Sequence, residues 1–503
     1  MFQILSAQDA VQLIPDGANI CVNCFLALNN PAALHAALYQ RYISTGHPGQ
    51  LTLICAAGYG DWDETHFAEP YVEAGAVRRV IASHFSSMPI TTRKIRDNEI
   101  EGYALPLGVL SHTIRAMAGG HKGYHSQVGL GIYVDPRLDG PAMNACSTDR
   151  SLVTLAQADD EDCLYYKLPP IDVALLKGTS VDPNGNISLE NEFANVDALA
   201  VAMAAKRNGG KVIVQVEQVT HTFSRPRNVI IPGALVDAVV VCEQEHATAT
   251  LRALNGDIHV PSTHMDYWMN RLASAQEQRD NGEDCSARLI GTRGAQELRP
   301  GNIANIGVGL PEMVAKYSAR RNILKDVTLT VESGGFGGLP ASGKDFGATI
   351  GADMVIDMAS QMDFYDGGGL DVCFMGALEV DCRGNVNVHR LGSTYVGVGG
   401  FANLTRATKR VVFCLTFTTK GLCVHEEDDQ VQIVQEGSLP KFKKSIQAIS
   451  FSAADALKNG QQVLYVTERC VLELTPGGLH LKEVYPGIDP QKDIQALLDF
   501  PLV

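Results

Sequence analysis

The chain has 503 residues, of which 45% are apolar and 19% are charged. This balance is typical of a globular protein and excludes whole-chain disorder, collagen and a small disulfide scaffold, while the length predicts two or three domains. With 41 basic and 56 acidic side chains the net charge is −15, which disfavours nucleic acid or an anionic membrane as partner, because both need a basic face.

The sequence predicts no signal peptide and no membrane span. Residues 1–17 lack a basic region, Asp9 and Asp16 interrupt their apolar positions, and apolar runs stay below the roughly 18 residues that a span needs. Most of the 12 cysteines lie in apolar runs. Cys21 and Cys24 form the one tight pair, and we interpret them as core thiols rather than a metal or redox site. Together these features predict a cytoplasmic protein.

Segments of the two halves of the chain resemble each other in the same order. Residues 51–60 resemble 327–337 at a shift of 276, and 207–216 resemble 406–415 at a shift of 199. The drop of 77 predicts an insertion of that size between about 59 and 181 in the first half. We therefore predict duplicated domains over 1–245 and 286–503, joined by a polar linker over 246–285.

Within each predicted domain, continuous β-branched runs alternate with glycine-rich turns and helical stretches. Apolar runs without polar alternation are typical of strands covered on both faces. The sequence thus predicts an α/β fold of two open, mainly parallel sheets packed together. Ligands of such folds bind beyond the carboxyl ends of the strands, often between domains.

In the second half, a predicted strand is followed by Gly307, Val308 and Gly309, with Pro311 opening a helix. Free N–H groups at a helix start can stabilise an oxyanion. Taken alone, the segment is better explained as a tight strand-to-helix turn, because Glu312 leaves the dinucleotide-binding pattern GxGxxG incomplete.

The most informative local feature is Glu332, which follows a strand predicted to end at Val331 and precedes four glycines within 333–338. A carboxylate can act as a nucleophile toward an activated acyl group where water is excluded. The alternative is that Glu332 caps a helix or turn. The matched residue of the first half is Ala56, which favours catalysis, because a cap would be needed in both copies.

Two further motifs resemble a phosphate-binding loop and a metal site but lack residues that those sites need. Residues 338–344 have the spacing of a phosphate-binding loop, but Asp345 stands where magnesium binding needs a hydroxyl, so we reject an ATPase. Asp363, Asp366 and Asp371 flank three glycines and are interpreted as turn residues rather than metal ligands. Neither a metal nor a permanently bound cofactor is predicted.

The last candidate is a glycine loop in which Gly397, Gly399 and Gly400 surround Val398. Its backbone N–H groups can face a reacting oxygen or run along an extended ligand. The alternative is a plain connection between strands.

The segments IANIGVGLPE, TLTVESGGFGGLP, FDFYDGGGLDVCF and EVDCRGNVNVH resemble the family I coenzyme A transferases of the single-chain acetate/propionate type. GLGIYVDPR in the first half agrees, and the resemblance covers almost the whole chain. It implies transfer of CoA from a short-chain acyl-CoA to a small carboxylic acid such as acetate. It further implies a role in short-chain fatty acid or ketone-body metabolism and a homo-oligomer, commonly a tetramer.

By the same resemblance, Glu332 is the nucleophile of a ping-pong reaction through a glutamyl-CoA thioester. The resemblance also assigns oxyanion donors to Val308 and to Gly400 or Gly399, and coenzyme contacts to the glycine turns at Gly307, Gly309, Gly397 and Gly399. Two alternatives stay open: an acyl-CoA hydrolase that uses the same glutamate, and a non-catalytic acyl-CoA sensing or assembly module.

The chain departs from its relatives in the first half. Phe25, Leu26 and Leu28 stand where the relatives carry a glycine-rich turn, and Ser86 and Ser87 stand where they have a Gly-Gln pair. Both segments are expected to line the acyl side of the site. The departures predict a carboxylate that is bulkier or differently polar than acetate.

Overall fold

The computed structural model describes residues 2–242 and 284–503. The first segment folds around an eight-stranded sheet in which all neighbouring strands are parallel. In chain order the strands are β1 (Gln3–Leu5), β2 (Asn19–Val22), β3 (Leu51–Ile54), β4 (Val77–Ala82), β5 (Glu101–Ala104), β6 (Val173–Lys177), β7 (Lys211–Val216) and β8 (Ala238–Val241). Across the sheet they are ordered β1-β8-β7-β6-β2-β3-β4-β5.

The second segment folds around a nine-stranded sheet that is parallel in its centre and antiparallel at both edges. Its strands are β9 (Ile303–Ile306), β10 (Thr328–Thr330), β11 (Gly335–Phe336), β12 (Met354–Val355), β13 (Val372–Gly376), β14 (Arg410–Cys414), β15 (Gln462–Val466), β16 (Cys470–Thr475) and β17 (Gly478–Val484). Their order is β12-β11-β10-β9-β13-β14-β15-β16-β17.

The two sheets share one strand order, which confirms the predicted duplication of the α/β fold. The series β8-β7-β6-β2-β3 of the first sheet returns as β15-β14-β13-β9-β10 in the second. β6 and β13 begin at residues 173 and 372, and β7 and β14 begin at 211 and 410, so both pairs differ by the shift of 199. Strand β3 is buried at every position, as expected for a strand covered on both faces.

Helices flank both sheets. They are α1 (Ala7–Ala10), α2 (Ala32–Thr45), α3 (Glu69–Glu73), α4 (Pro89–Arg96), α5 (Leu107–Ala118), α6 (Ala198–Arg207), α7 (Cys285–Gly294), α8 (Glu312–Arg320), α9 (Met358–Asp366), α10 (Phe401–Ala407) and α11 (Ala453–Lys458). Helix α2 is capped at its carboxyl end by Gly46, whose left-handed backbone lets its N–H donate to the Tyr42 carbonyl at 2.7 Å. The predicted linker, 246–285, lies outside the described residues except for its last two positions.

Residues 59–181, where the sequence predicts an insertion, contain β4, β5 and α5 together with a small antiparallel sheet. That sheet consists of Tyr124–Ser126, Glu161–Tyr166 and Val153–Ala158. A four-stranded sheet is formed by Gln218–Val219, Ser180–Val181, Ile187–Ser188 and Val229–Ile231. In the second half, short strands form further small sheets. Glu379–Asp381 lies between Val386–Asn387 and Phe442–Lys443. The two-stranded sheets pair Leu339–Pro340 with Thr349–Ile350, Arg390–Leu391 with Thr394–Tyr395, Thr418–Thr419 with Leu439–Pro440, and Cys423–Glu427 with Gln430–Gln435.

The two halves are joined through main-chain hydrogen bonds around the glycine loop. Phe85 N–H donates to the Val396 carbonyl at 2.9 Å, and Gly399 N–H donates to the Ser83 carbonyl at 3.0 Å. The Gly399 carbonyl in turn accepts from Leu107 N–H at 3.0 Å. The larger apolar core extends through both halves. Across 2–242 and 284–503, every helix is too short or too polar to span a membrane.

Candidate active site

Glu332 and Val308 lie at the same edge of the second sheet. Strand β10 ends at Thr330, one residue earlier than predicted, and its neighbour β9 ends at Ile306. Because the two strands are parallel, the turns that follow them leave the sheet side by side. The sequence therefore folds so that a carboxylate and a helix-opening turn face one space.

The glycine loop covers the Glu332 side chain. A Cβ atom built on Gly400 would lie 2.8 Å from Glu332 Cγ and 3.0 Å from Glu332 Oε1. Heavy atoms rarely approach more closely than van der Waals contact, so position 400 has room only for glycine. The loop predicted to serve the nucleophile is thus in direct contact with it.

Burial raises the pKa of the Glu332 carboxyl above its ordinary value, against the opposing effects of its own backbone N–H and the Asn305 side chain. Asn305 is buried on β9 and donates from Nδ2 to the Thr330 carbonyl at 3.0 Å. Removal from water leaves a carboxylate more reactive toward an acyl carbon. Sequence reasoning missed Asn305, although a polar residue in the buried strand IANI was a usable signal.

Two of the backbone N–H groups predicted as oxyanion donors make no hydrogen bond within the described residues. Within the described part of the chain, neither the Val308 N–H nor the Gly400 N–H meets a protein acceptor. The Gly399 N–H, by contrast, is held by the Ser83 carbonyl. Of the two glycines proposed as oxyanion donors, Gly400 is therefore the one whose donor is available.

The other glycines predicted to contact the coenzyme also differ in whether their N–H groups already have a protein acceptor. Gly307 N–H donates to the Phe374 carbonyl at 2.8 Å, and Gly309 N–H donates to Glu312 Oε1 at 3.2 Å. The Gly397 N–H meets no acceptor among the described residues. Gly307 and Gly309 therefore shape the turn, whereas Gly397 keeps a free donor.

A cavity of about 400 Å³ lies between the two halves, with Glu332 in its wall. From the second half come Val308, Leu310, Phe346, Met375, Leu378, Val388, Gly397, Gly399, Gly400 and Lys441, among others. From the first half come Phe25, Leu26, Ala57, His84, Ser86 and Leu107. The volume is within the range of sites that enclose small organic ligands.

His84 is part of this wall. Its Nε2 lies 2.7 Å from Ser86 Oγ, and burial lowers the pKa of His84 to about 4. The imidazole is therefore neutral at pH 7. The sequence singles out Ser86 but not its contact with His84, because no local pattern shows which side chains meet in the folded wall.

The remaining sequence candidates lie apart from the cavity. Cys21 and Cys24 are buried free thiols, and the close contact of Cys24 is with Cys55, 3.3 Å away between sulfurs. Asp366 accepts hydrogen bonds from Asn403 Nδ2 at 2.9 and 3.1 Å. Among residues 2–242 and 284–503, no three His, Cys, Asp or Glu side chains are grouped to hold a metal ion.

The chain is similar in sequence to known proteins over almost its whole length. The family profile described as Coenzyme A transferase matches residues 4–242. The chain is 38% identical to caffeate CoA-transferase of Acetobacterium woodii, over 99% of the chain and 94% of that protein. It is 36% identical to acetate CoA-transferase YdiF of Escherichia coli, over 99% of the chain and 92% of that protein.

A solved structure extends the likeness to the whole fold. The crystal structure of YdiF from Escherichia coli O157:H7 as a thioester complex with CoA superposes with a TM-score of 0.89 at 34% identity. The match covers 100% of this chain and 93% of that one.

Proposed function

The chain belongs to the coenzyme A transferase family, and we propose that it transfers CoA from a short-chain acyl-CoA to an acceptor carboxylate such as acetate, by a ping-pong reaction on Glu332. The observation that carries this proposal is the half-buried side chain of Glu332, set against Gly400 in a cavity between the halves. Acyl-CoA and the acids are substrates, and no permanently bound cofactor enters the scheme.

In the first step the Glu332 carboxylate attacks the thioester carbonyl of the acyl-CoA. The N–H groups of Val308 and Gly400 stabilise the oxyanion that develops, because both lack a protein acceptor. The C–S bond breaks, CoA leaves as a thiolate, and a mixed anhydride of Glu332 and the acyl group remains.

In the second step the CoA thiolate attacks the glutamyl carbonyl, and the acyl group leaves as a free carboxylate. A glutamyl-CoA thioester is formed. An incoming carboxylate then reverses both steps and departs as the new acyl-CoA. One thioester is exchanged for another, so the cycle needs no ATP, and binding of the remote CoA arm can assist the reacting centre.

The relatives support the proposal at two points. The YdiF structure is described as a thioester complex with CoA, which is the intermediate expected here on Glu332. The names of the relatives give acetate and caffeate as acids, so acetate is proposed as one acceptor within a wider range.

Several finer features stay predictions from the sequence and the family resemblance. These are the domain limits 1–245 and 286–503, the assembly into a homo-oligomer such as a tetramer, the cytoplasmic location, and a role in ketone-body metabolism. The CoA contacts of Gly307, Gly309, Gly397 and Gly399 belong to the same group.

The test is the intact mass of the protein after incubation with acetyl-CoA and, in parallel, a larger acyl-CoA. A CoA-sized adduct is expected on the wild type, removable by hydroxylamine and absent from Glu332→Gln. Release of free CoA at the same rate with and without an added acid would favour the hydrolase. No adduct with any thioester, in protein that still binds acyl-CoA, would favour the non-catalytic module.

A further inference from the structure

The part of the cavity wall contributed by the first half is bulky and apolar. Phe25 and Leu26 leave strand β2 and turn toward the second half, where the ring of Phe25 packs against Phe346 with 6.0 Å between centroids. Leu107, at the start of α5, continues the same surface. A ligand that extends from Glu332 toward the first half therefore meets hydrocarbon.

This wall is held in place by backbone hydrogen bonds. Leu26 has a left-handed backbone with φ 54°, a conformation that a branched residue rarely adopts. Its N–H donates to the Gly58 carbonyl at 2.9 Å, and its carbonyl accepts from Asn30 Nδ2 at 3.2 Å. Unfavourable backbone conformations persist where the surroundings enforce them, often beside ligand sites. The backbone of Leu26, and with it the point from which its side chain enters the wall, is thus fixed.

The charges around the cavity are few and lie on the second half. Among the described residues that line it, the acidic and basic side chains other than histidine are Glu332 and Lys441. Lys441 donates from Nζ to the Ala377 carbonyl at 3.2 Å, within the second half. On the first-half side the polar groups are Ser86 and His84, and burial keeps that imidazole neutral at pH 7. A second carboxylate against the first-half wall would be buried beside no lysine or arginine of that wall, among the described residues.

We infer that this site prefers monocarboxylates whose apolar chain or ring is larger than the methyl group of acetate, bound against Phe25, Leu26 and Phe346. Dicarboxylates are excluded, because their second charge would face hydrocarbon. The Ser86–His84 pair accommodates at most a neutral polar group of the acid. This inference rests on the proposed function and specifies its substrate class.

The experiment measures by itself the step in which an added acid removes CoA from Glu332. The CoA-loaded protein is prepared with butanoyl-CoA, separated from the released acid, and chased with acetate, butanoate, 3-phenylpropanoate or succinate while loss of the adduct is followed by intact mass. Butanoate and 3-phenylpropanoate are expected to discharge the adduct at least about tenfold faster than acetate, since each methylene in an apolar pocket contributes roughly that factor. Succinate, which shares the four-carbon backbone of butanoate, is expected to be on the order of 100-fold slower.

Two variants test whether the apolar wall determines the selectivity for butanoate over acetate. Leu26→Ala is expected to lower the butanoate-to-acetate ratio about tenfold. Leu28→Ala is the matched control, because Leu28 is buried in the same loop but does not line the cavity, and it should leave the ratio unchanged. The wild-type acid series needs no variant and decides the question even if one fails to fold.

The outcomes separate the two proposals. An adduct that succinate or acetate discharges as fast as butanoate overturns the substrate inference and leaves the proposed function intact. A ratio unchanged in Leu26→Ala, with the wild type selective, overturns the assignment to this wall. Failure of every acyl-CoA to form an adduct overturns the proposed function, and the substrate inference with it.

Discussion

Gly400 and Glu332 are in such close contact that a single methyl group at position 400 would collide with the nucleophile, 2.8 Å from its Cγ. Gly400 has a right-handed backbone with φ −80°, so the residue is glycine for lack of space and not for conformational reasons. The contact places the main chain of Gly400 directly against the side chain of Glu332.

Gly400→Ala should therefore impair chemistry more than folding. We expect adduct formation to slow by about 100-fold, because a displacement of roughly 1 Å at a reacting group has that effect. The thermal midpoint should change little, since alanine suits the backbone at this position. Gly49→Ala is the control, because its Cβ would meet only ordinary contacts of 3.8 and 3.9 Å. Equal rates in the two variants would contradict the role of the Gly400–Glu332 contact.

The fold was predictable from the sequence because the information is local and repeated. The shift of 199 between matched segments returns in the starting residues of β7 and β14, and hydrophobic runs identified the buried strands. Glu332 could be identified in the same way, because strand, carboxylate and glycine turn are contiguous.

What the sequence could not settle depends on contacts between the halves. The choice between Gly399 and Gly400 follows from the hydrogen bond of Gly399 to Ser83, more than 300 residues away in the chain. The apolar wall likewise depends on the packing of Phe25 against Phe346. Such pairs leave no periodic pattern in one sequence.

The pH dependence of adduct formation should report Glu332. Because burial raises the pKa of its carboxyl, the group is ionised only above the usual range of a glutamate, and the rate should rise with pH up to that value. Asn305→Asp should move this rise to higher pH, since a second carboxylate replaces a group that favours ionisation of Glu332.

The measurement is single-turnover adduct formation between pH 4 and 9, with protein folding monitored at each pH. Asn305→Ser serves as the control, because it removes the amide without adding charge. Superimposable profiles for the wild type and Asn305→Asp would show that another group limits the rate.

Asp197 should make the protein less stable as pH rises. Burial raises the pKa of its carboxyl from 3.8 to about 7, and Oδ2 finds no partner within the described residues, while Oδ1 accepts from Ser111 at 2.8 Å. The folded state thus holds this proton more tightly than the unfolded state. The contribution of Asp197 is fully present below about pH 4 and is lost as pH rises through about 7.

Asp197→Asn should remove that loss. We expect the variant to exceed the wild type by roughly 1–3 kcal/mol in free energy of unfolding at pH 8, and to match it at pH 4, where the wild-type carboxyl is protonated. Urea unfolding at both pH values measures the difference. An equal effect at pH 4 and pH 8 would exclude the buried charge as its cause.

Asn403 should stabilise the junction of the two halves beside the glycine loop. It is buried on α10, accepts from the Gly108 N–H at 3.0 Å and donates to Asp366. Asn403→Leu keeps the size of the side chain but leaves the buried Gly108 N–H without an acceptor and removes two hydrogen bonds to the half-buried Asp366. We expect a loss of about 1–3 kcal/mol, mainly from the unsatisfied N–H. Urea unfolding measures this loss, and Gln127→Leu, which removes an exposed contact to Arg406 between the same halves, is the control.

Because α10 begins directly after Gly400, adduct formation should slow in Asn403→Leu as well. A variant as stable and as active as the wild type would show that the junction does not depend on this side chain.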